Sequence, residues 1–231
     1  MNKHISEQYD SELDSARSLF MEIGGLVEQQ LQKACQSLFT HDAELADAVK
    51  KGDSRINKLE INVDELCVHI IARRQPAATD LRTLISIMKA STDLERIGDE
   101  AKRISKMAKA VSHMEFPADQ YSDIRAMSEQ VQSMLAKVLD AFARLSAGKA
   151  LEVIEADEAV DDAYDAIVQH RGADMLSQPE EIQRSLNIIW IARALERIGD
   201  HSKNISEYVV YLVKGLDVRH SDDLAAVVAS K

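Results

Sequence analysis

The chain has only three prolines, eight glycines and two cysteines in 231 residues, and aromatic residues make up 4%. So little turn-forming material argues against a fold of many short strands and for long helices joined by short connections. Cys35 and Cys67 stand alone in the sequence. With no paired cysteine spacing there is no disulfide framework and no thiolate metal site, which fits a reducing, cytoplasmic setting and leaves both as small buried hydrophobes. No apolar run approaches the roughly 20 residues that span a bilayer. The most continuous one, 186–195, is interrupted by Asn187 and Arg193. Residues 1–7 contain no apolar h-region, so no secretory signal is expected. Positive charge is also scarce: 28 Lys and Arg face 39 Asp and Glu, a net charge of −11. That balance excludes non-specific nucleic-acid binding, which depends on cations displacing counterions from phosphates. It leaves membrane association only through partner proteins.

What the chain has in quantity is Ala, Leu, Ile, Glu and Lys in helical periodicity. Apolar spacing and capping signals predict six helices at 6–39, 42–73, 77–112, 118–146, 149–175 and 179–214. Thr40 is expected to cap the second, Pro76 and Pro117 to lie in connections, the 177–180 Ser-Gln-Pro-Glu segment to form a capping box, and Gly215 to end the sixth. The tail from Leu216 is expected to be a short helix or a frayed end.

The string Leu-Glu-Arg-Ile-Gly-Asp occurs at 94–99 and again at 195–200. Asp53 and Asn57 in the second helix align with Asp157 and Asp161 in the fifth. The chain therefore reads as an all-α tandem duplication, two three-helix bundles side by side, divided into 1–115 and 116–231. The Gly24-Gly25 pair, inside the first helix, is suited to a close helix approach.

Each copy of the string sets Glu95 and Asp99, or Glu196 and Asp200, four residues apart on one helix face. Like charges at that spacing cost an isolated helix roughly 0.2–0.5 kcal/mol, so a repeated pair calls for a compensating cation. Glu95 and Asp99 continue the stripe of Leu81, Leu84, Ile85 and Met88, while Glu196 and Asp200 continue that of Ile182, Leu186 and Ile189. If neighbouring helices are antiparallel, Asp157 and Asp161 face Glu196 and Asp200, and Asp53 faces Glu95 and Asp99. Such oxygen sets suit Mg, Mn, Ca or Fe better than Zn. The competing reading is an ordinary solvated face whose acids pair with Lys102, Arg103 and Lys203. His201 points about 100° away from Asp200 and is expected at the rim. Trp190 and Tyr208 are expected to pack in a core or interface.

No phosphate-binding Gly loop, nucleophile elbow or Cys/His dyad pattern occurs, and no His follows a Glu by three residues as in di-iron carboxylate bundles. The absence of such machinery favours a non-catalytic role. A metal-dependent enzyme acting on phosphate esters and a metal-free helical scaffold are the alternatives.

Over nearly its whole length the chain resembles the PhoU family. The resemblance is carried by Gly24-Gly-Leu-Val-Glu-Gln-Gln30, Ile70-Ile-Ala-Arg-Arg-Gln-Pro76, both Leu-Glu-Arg-Ile-Gly-Asp strings and Val213-Lys-Gly-Leu-Asp-Val-Arg-His220. It implies two similar three-helix bundles, a homodimer, and metal clusters on Glu/Asp-x-x-x-Asp motifs matched here by Glu95/Asp99, Asp157/Asp161 and Glu196/Asp200. It further implies negative regulation of the phosphate-starvation response. In that role a cytoplasmic adapter links the ATPase subunit of a phosphate ABC transporter to a sensor histidine kinase. Asp53 is followed by Asn57 rather than an acid, so the first-repeat site is expected to hold metal less tightly.

Overall fold

The computed structural model describes residues 7–112 and 121–219. Its helices are α1 (Glu7–Thr40), α2 (Ala43–Arg74), α3 (Ala78–Val111), α4 (Ser122–Arg144), α5 (Ala147–Ser177) and α6 (Ile182–Lys214). The described residues contain no strand. Helices α1 to α3 pack as one bundle, α4 to α6 as a second, and the two join chiefly through α3 against α6, with α1 touching α4. The expected duplication is thus present as two bundles side by side. The segment before Glu7, Pro117 with the expected start of the fourth helix, and the tail after Arg219 lie outside the described residues.

Two helix starts differ from the sequence reading. Asp42, not Thr40, caps α2, its Oδ1 accepting from Leu45 N at 2.9 Å. Thr40 is the last residue of α1 and its hydroxyl donates to Gln36 O. Aspartate in extended backbone can reach the third amide ahead, whereas a hydroxyl still inside a helix turns back on its own preceding turn. The 177–180 segment forms no capping box either. Ser177 ends α5, its Oγ donating to Ala173 O, and Pro179–Glu181 is a single 3-10 turn leading into α6. Gly215 does end α6, at φ 71° and with its N–H bonded to Tyr211 O, a left-handed cap that glycine adopts without a Cβ penalty.

Both bundles share one continuous apolar core, running from Phe20, Ile23 and Leu31 through Leu94, Ile97 and Ile104 to Val131, Leu195 and Ile198. Cys35 and Cys67 lie in it, as expected, and burial pushes each thiol up to about 12. Gly24 carries out the close approach expected of the Gly pair. A Cβ there would stand 2.5 Å from Leu139 Cδ2 on α4, whereas one on Gly25 would meet nothing.

Helices α3 and α6 are antiparallel at the join. Lys89 lies over the Tyr208 ring, Asp93 bonds His201 and Asn204, and Glu100 pairs with Arg197. Because each of these helices is covered by its own bundle on one side and by the other repeat on another, a single stripe projected at 100° per residue misplaces their faces. Ile191, Leu195, Ile198 and Ile205 of α6 are buried, while Ile182 and Leu186 are about two-fifths exposed. Trp190, expected in packing, is 53% exposed. Tyr208 is half-buried against the core, and burial with the nearby Asp93 carboxylate pushes its hydroxyl up to about 12. His201 is not at a rim: it is buried between the repeats, with Nδ1 2.7 Å from Asp93 Oδ1.

Candidate metal centre

Antiparallel pairing of α5 and α6 brings Asp157 and Asp161 opposite Glu196, Asp200 and Lys203. Asp161, Glu196 and Asp200 each offer a carboxylate oxygen such that the three atoms lie within 4.8 Å of one another. Asp157 lies deeper, 2% exposed. Its Oδ2 accepts from Lys203 Nζ at 2.6 Å, and its Oδ1 is buried with no hydrogen-bond partner among the described residues. Glu196 pairs through Oε1 with Arg193, while its Oε2 is likewise buried and unpartnered.

The electrostatics follow from this crowding. Burial holds Asp161, Glu196 and Asp200 above their ordinary carboxylate values, and mutual repulsion adds to it: Asp157 acts on Asp161 and on Asp200, and Asp200 acts on Glu196. Three acids with raised values and two buried oxygens without a hydrogen-bond partner make an all-oxygen set whose chemistry fits a hard divalent cation or iron.

The single glycine of the repeated string lets the helices meet. A Cβ on Gly199 would lie 3.3 Å from Val160 Cγ1 and 3.5 Å from Asp157 Oδ1, and one on Gly98 would lie 3.5 Å from Ile56 Cδ1 on α2. The string thus supplies a close helix contact as well as carboxylates, a role not among the sequence expectations. Its signal was there, since Gly inside a long helix costs roughly 1 kcal/mol against Ala and calls for a packing reason.

The first repeat has the same frame with a different filling. Asp53 is buried and its Oδ2 accepts from Lys102 Nζ, again at 2.6 Å, while Lys102 also reaches Asp99 Oδ1 at 3.4 Å. Glu95 is raised by burial first, then by Asp99, Glu60 and Asp53. Glu60 is half-buried and its Oε1 accepts from Thr92 at 3.2 Å. Asn57 stands where Asp161 stands in the second repeat. Among the described residues, Asp161, Glu196 and Asp200 are the acidic group whose ligand atoms converge, and Asp53, Glu95 and Asp99 are not brought together to that degree. Lys102 and Lys203 are therefore real partners of the buried Asp53 and Asp157, and in the second-repeat trio Arg193 pairs with Glu196 while Asp161 and Asp200 form no ion pair within 4 Å among the described residues.

No helix of the described residues is long and apolar enough to cross a membrane. The family model described as PhoU domain matches residues 20–108 and 124–209, one segment in each bundle. The phosphate-specific transport system accessory protein PhoU homolog of Pseudomonas aeruginosa is 47% identical over 220 residues, 95% of this chain and 91% of that protein. The phosphate-specific transport system accessory protein PhoU of Escherichia coli K12 is 40% identical over 234 residues, covering 100% of this chain and 96% of its own. Among solved structures, PhoU from P. aeruginosa superposes with a TM-score of 0.87 at 46% identity, over 90% of this chain and all of that one. The phosphate transport system regulatory protein PhoU from Streptococcus pneumoniae gives 0.84 at 32% identity, over 91% and 99%. With both halves of the duplication matched and the six-helix architecture shared, the chain belongs to the PhoU family.

Proposed function

We propose that the protein is a non-catalytic accessory regulator of phosphate transport that keeps the phosphate-starvation response off when phosphate is plentiful. In this reading it acts in the cytoplasm as a homodimeric adapter between the ATPase subunit of the phosphate ABC transporter and a sensor histidine kinase. The observation that carries it is full-length similarity to phosphate-specific transport system accessory proteins. An adapter role is supported by the Ile182, Leu186 and Trp190 face of α6, which leaves large apolar side chains in solvent near charged residues, a composition suited to protein contacts. Deleting the gene should derepress phosphate-starvation genes in phosphate-rich medium, and restoring the intact chain should silence them. An unchanged response in a clean deletion would overturn the proposal.

The same reading assigns metal to Asp161, Glu196 and Asp200 with Asp157 behind them, and a weaker site to Asp53, Glu95 and Asp99. Bound cation would neutralise the raised acids and tie α5 to α6, a structural or modulatory role. Elemental analysis of untagged protein purified without chelator tests it. Stoichiometric Mg, Mn, Ca or Fe that disappears in Glu196→Gln supports the assignment, and metal-free protein overturns it. A metal-dependent phosphoesterase is the second reading, favoured by the same raised carboxylates. Turnover of a phosphate ester by metal-loaded protein, abolished in Glu196→Gln, would establish it.

A further inference from the structure

A cleft of about 700 Å3 opens where α2 and α3 of the first repeat meet α6 of the second. Its cations are Lys50 from α2, Arg197 from α6, and Arg96, Lys102, Arg103, Lys106 and Lys109 from α3. Asp47, Asp99 and Glu100 are its acids. Seven positive side chains against three negative ones give a strongly basic concavity in a chain whose net charge is −11.

The cations are not equally engaged. Lys102 is committed to Asp53 and Asp99, and Lys109 to Asp47. Arg103 and Arg197, from opposite repeats, form ion pairs with the two oxygens of one buried carboxylate, each 3.1 Å from Glu100, although Glu100 Oε2 accepts no hydrogen bond from a described residue. Their side chains are about two-fifths exposed, so both can donate outward while attracted to the carboxylate beneath them. Lys50, Arg96 and Lys106 are exposed and make no hydrogen bond or ion pair with a described residue.

A charged helix face is ordinarily just solvated, but the duplication supplies an internal control. Carrying the register of Leu94 onto Leu195 keeps Arg96 as Arg197 and Lys102 as Lys203, but takes Arg103 to Asn204, Lys106 to Glu207 and Lys109 to Val210. Carrying Asp53 onto Asp157 takes Lys50 to Ile154. The fold is built in the second repeat without counterparts of Lys50, Arg103, Lys106 and Lys109, so the presence of these four on one concave face of the first is not a requirement of helix packing.

We propose that this cleft binds a small oligophosphate, with the forks of Arg96, Arg103 and Arg197 and the ammonium groups of Lys50 and Lys106 as its ligands. Arginine forks match phosphoryl oxygens two at a time, and lysines add mobile point charges. The volume lies in the range of small-molecule sites, and the cations ring a concavity on three helices rather than lining an extended track. A single orthophosphate would engage few of them, whereas two or three linked phosphates span several. Since Arg197 is the second repeat's contribution, such a ligand would bridge the two bundles. This site is separate from the carboxylate centre and does not depend on the regulatory reading above.

The test is calorimetric titration of the full-length chain, dialysed against chelator so that no metal can recruit the anion, at about 150 mM salt to suppress long-range attraction. The probes are tripolyphosphate, ATP, orthophosphate, citrate and a hexa-aspartate peptide. The expected result is saturable binding of tripolyphosphate, one per chain, weaker orthophosphate, and a loss of at least about tenfold in the Lys50→Gln/Lys106→Gln double variant. ATP binding more tightly than tripolyphosphate would identify a nucleotide as the source, and equal binding a bare phosphate chain. Lys33→Gln/Lys137→Gln removes the same charge from exposed sites on α1 and α4 and should leave affinity within about twofold. No saturable binding, an equal loss in this control pair, citrate binding as tightly, or binding of the acidic peptide alone would overturn the proposal.

Discussion

Lys203 reaches from α6 to Asp157 on α5, Nζ to Oδ2 at 2.6 Å, over a carboxylate that is 2% exposed. Lys102 and Asp53 repeat the bond at the same length in the first bundle. The duplication thus kept an ion pair beneath its acidic cluster, and that lysine competes with any cation for the same carboxylate. Lys203→Met should destabilise metal-free protein by about 2 kcal/mol, less than the roughly 3–5 for breaking a fully buried pair because the lysine is partly solvated. It should also make the protein more responsive to metal, since the deepest acid is released for coordination. Thermal melts with and without Mn would show a lower Tm in the variant without metal and a larger rise on its addition.

The raised acids give the metal-free protein a pH dependence of definite sign. Asp161, Glu196 and Asp200 have folded values above their unfolded ones. The folded state therefore binds more protons than the unfolded state in the window between the two. Their contribution to stability is fully present below the ordinary carboxylate range and is lost as pH rises through the raised values. Acidification from neutrality should recover this increment before the acids in favourable ion pairs, such as Asp217 at about 2 beside Arg219, begin to lose theirs. Denaturant unfolding across mildly acidic pH should show the recovery in wild type and a flatter profile in Glu196→Gln/Asp200→Asn.

The two repeats should not bind metal equally. Asn57 offers one neutral acceptor oxygen where Asp161 offers a carboxylate, and the converging acids are those of the second repeat. Calorimetric titration with Mn should resolve two affinity classes. Asp161→Asn should weaken the tighter class toward the other, and Asn57→Asp should strengthen the weaker one. Two equal strong sites, or no binding at either, would refute the asymmetry.

The duplication was legible from a six-residue string and its register, the helix number from apolar periodicity and the antiparallel pairing of α5 with α6 from the short connection, because all three are local signals. The depth of each residue was not. Ile182 and Leu186 look like a core stripe when α6 is projected alone, yet they face solvent, since two packed sides rotate the buried face toward Ile191, Leu195 and Ile198. His201 looked peripheral for the same reason: its partner Asp93 comes from the other repeat, more than a hundred residues away. Gly98 and Gly199 were in plain view, but their reason, the approach of α2 and α5, exists only once the helices are paired.

The adjacent glycines of α1 allow helix propensity to be separated from packing. Both lie in mid-helix, where replacing Gly by Ala gains roughly 0.5–1 kcal/mol if there is room. At Gly25 a Cβ meets nothing, so Gly25→Ala should stabilise the protein by about that amount. At Gly24 the Cβ would stand 2.5 Å from Leu139 Cδ2, and Leu139 is 6% exposed within the seam between α1 and α4. Displacing that methyl in a filled core costs about 1–3 kcal/mol, enough to cancel the propensity gain and reverse it. Gly24→Ala should therefore lower stability by about 1 kcal/mol, and shortening the obstacle in Gly24→Ala/Leu139→Val should recover part of the loss. Chemical denaturation of the four proteins checks this. Equal gains at both glycines would mean that the two bundles do not meet through this contact.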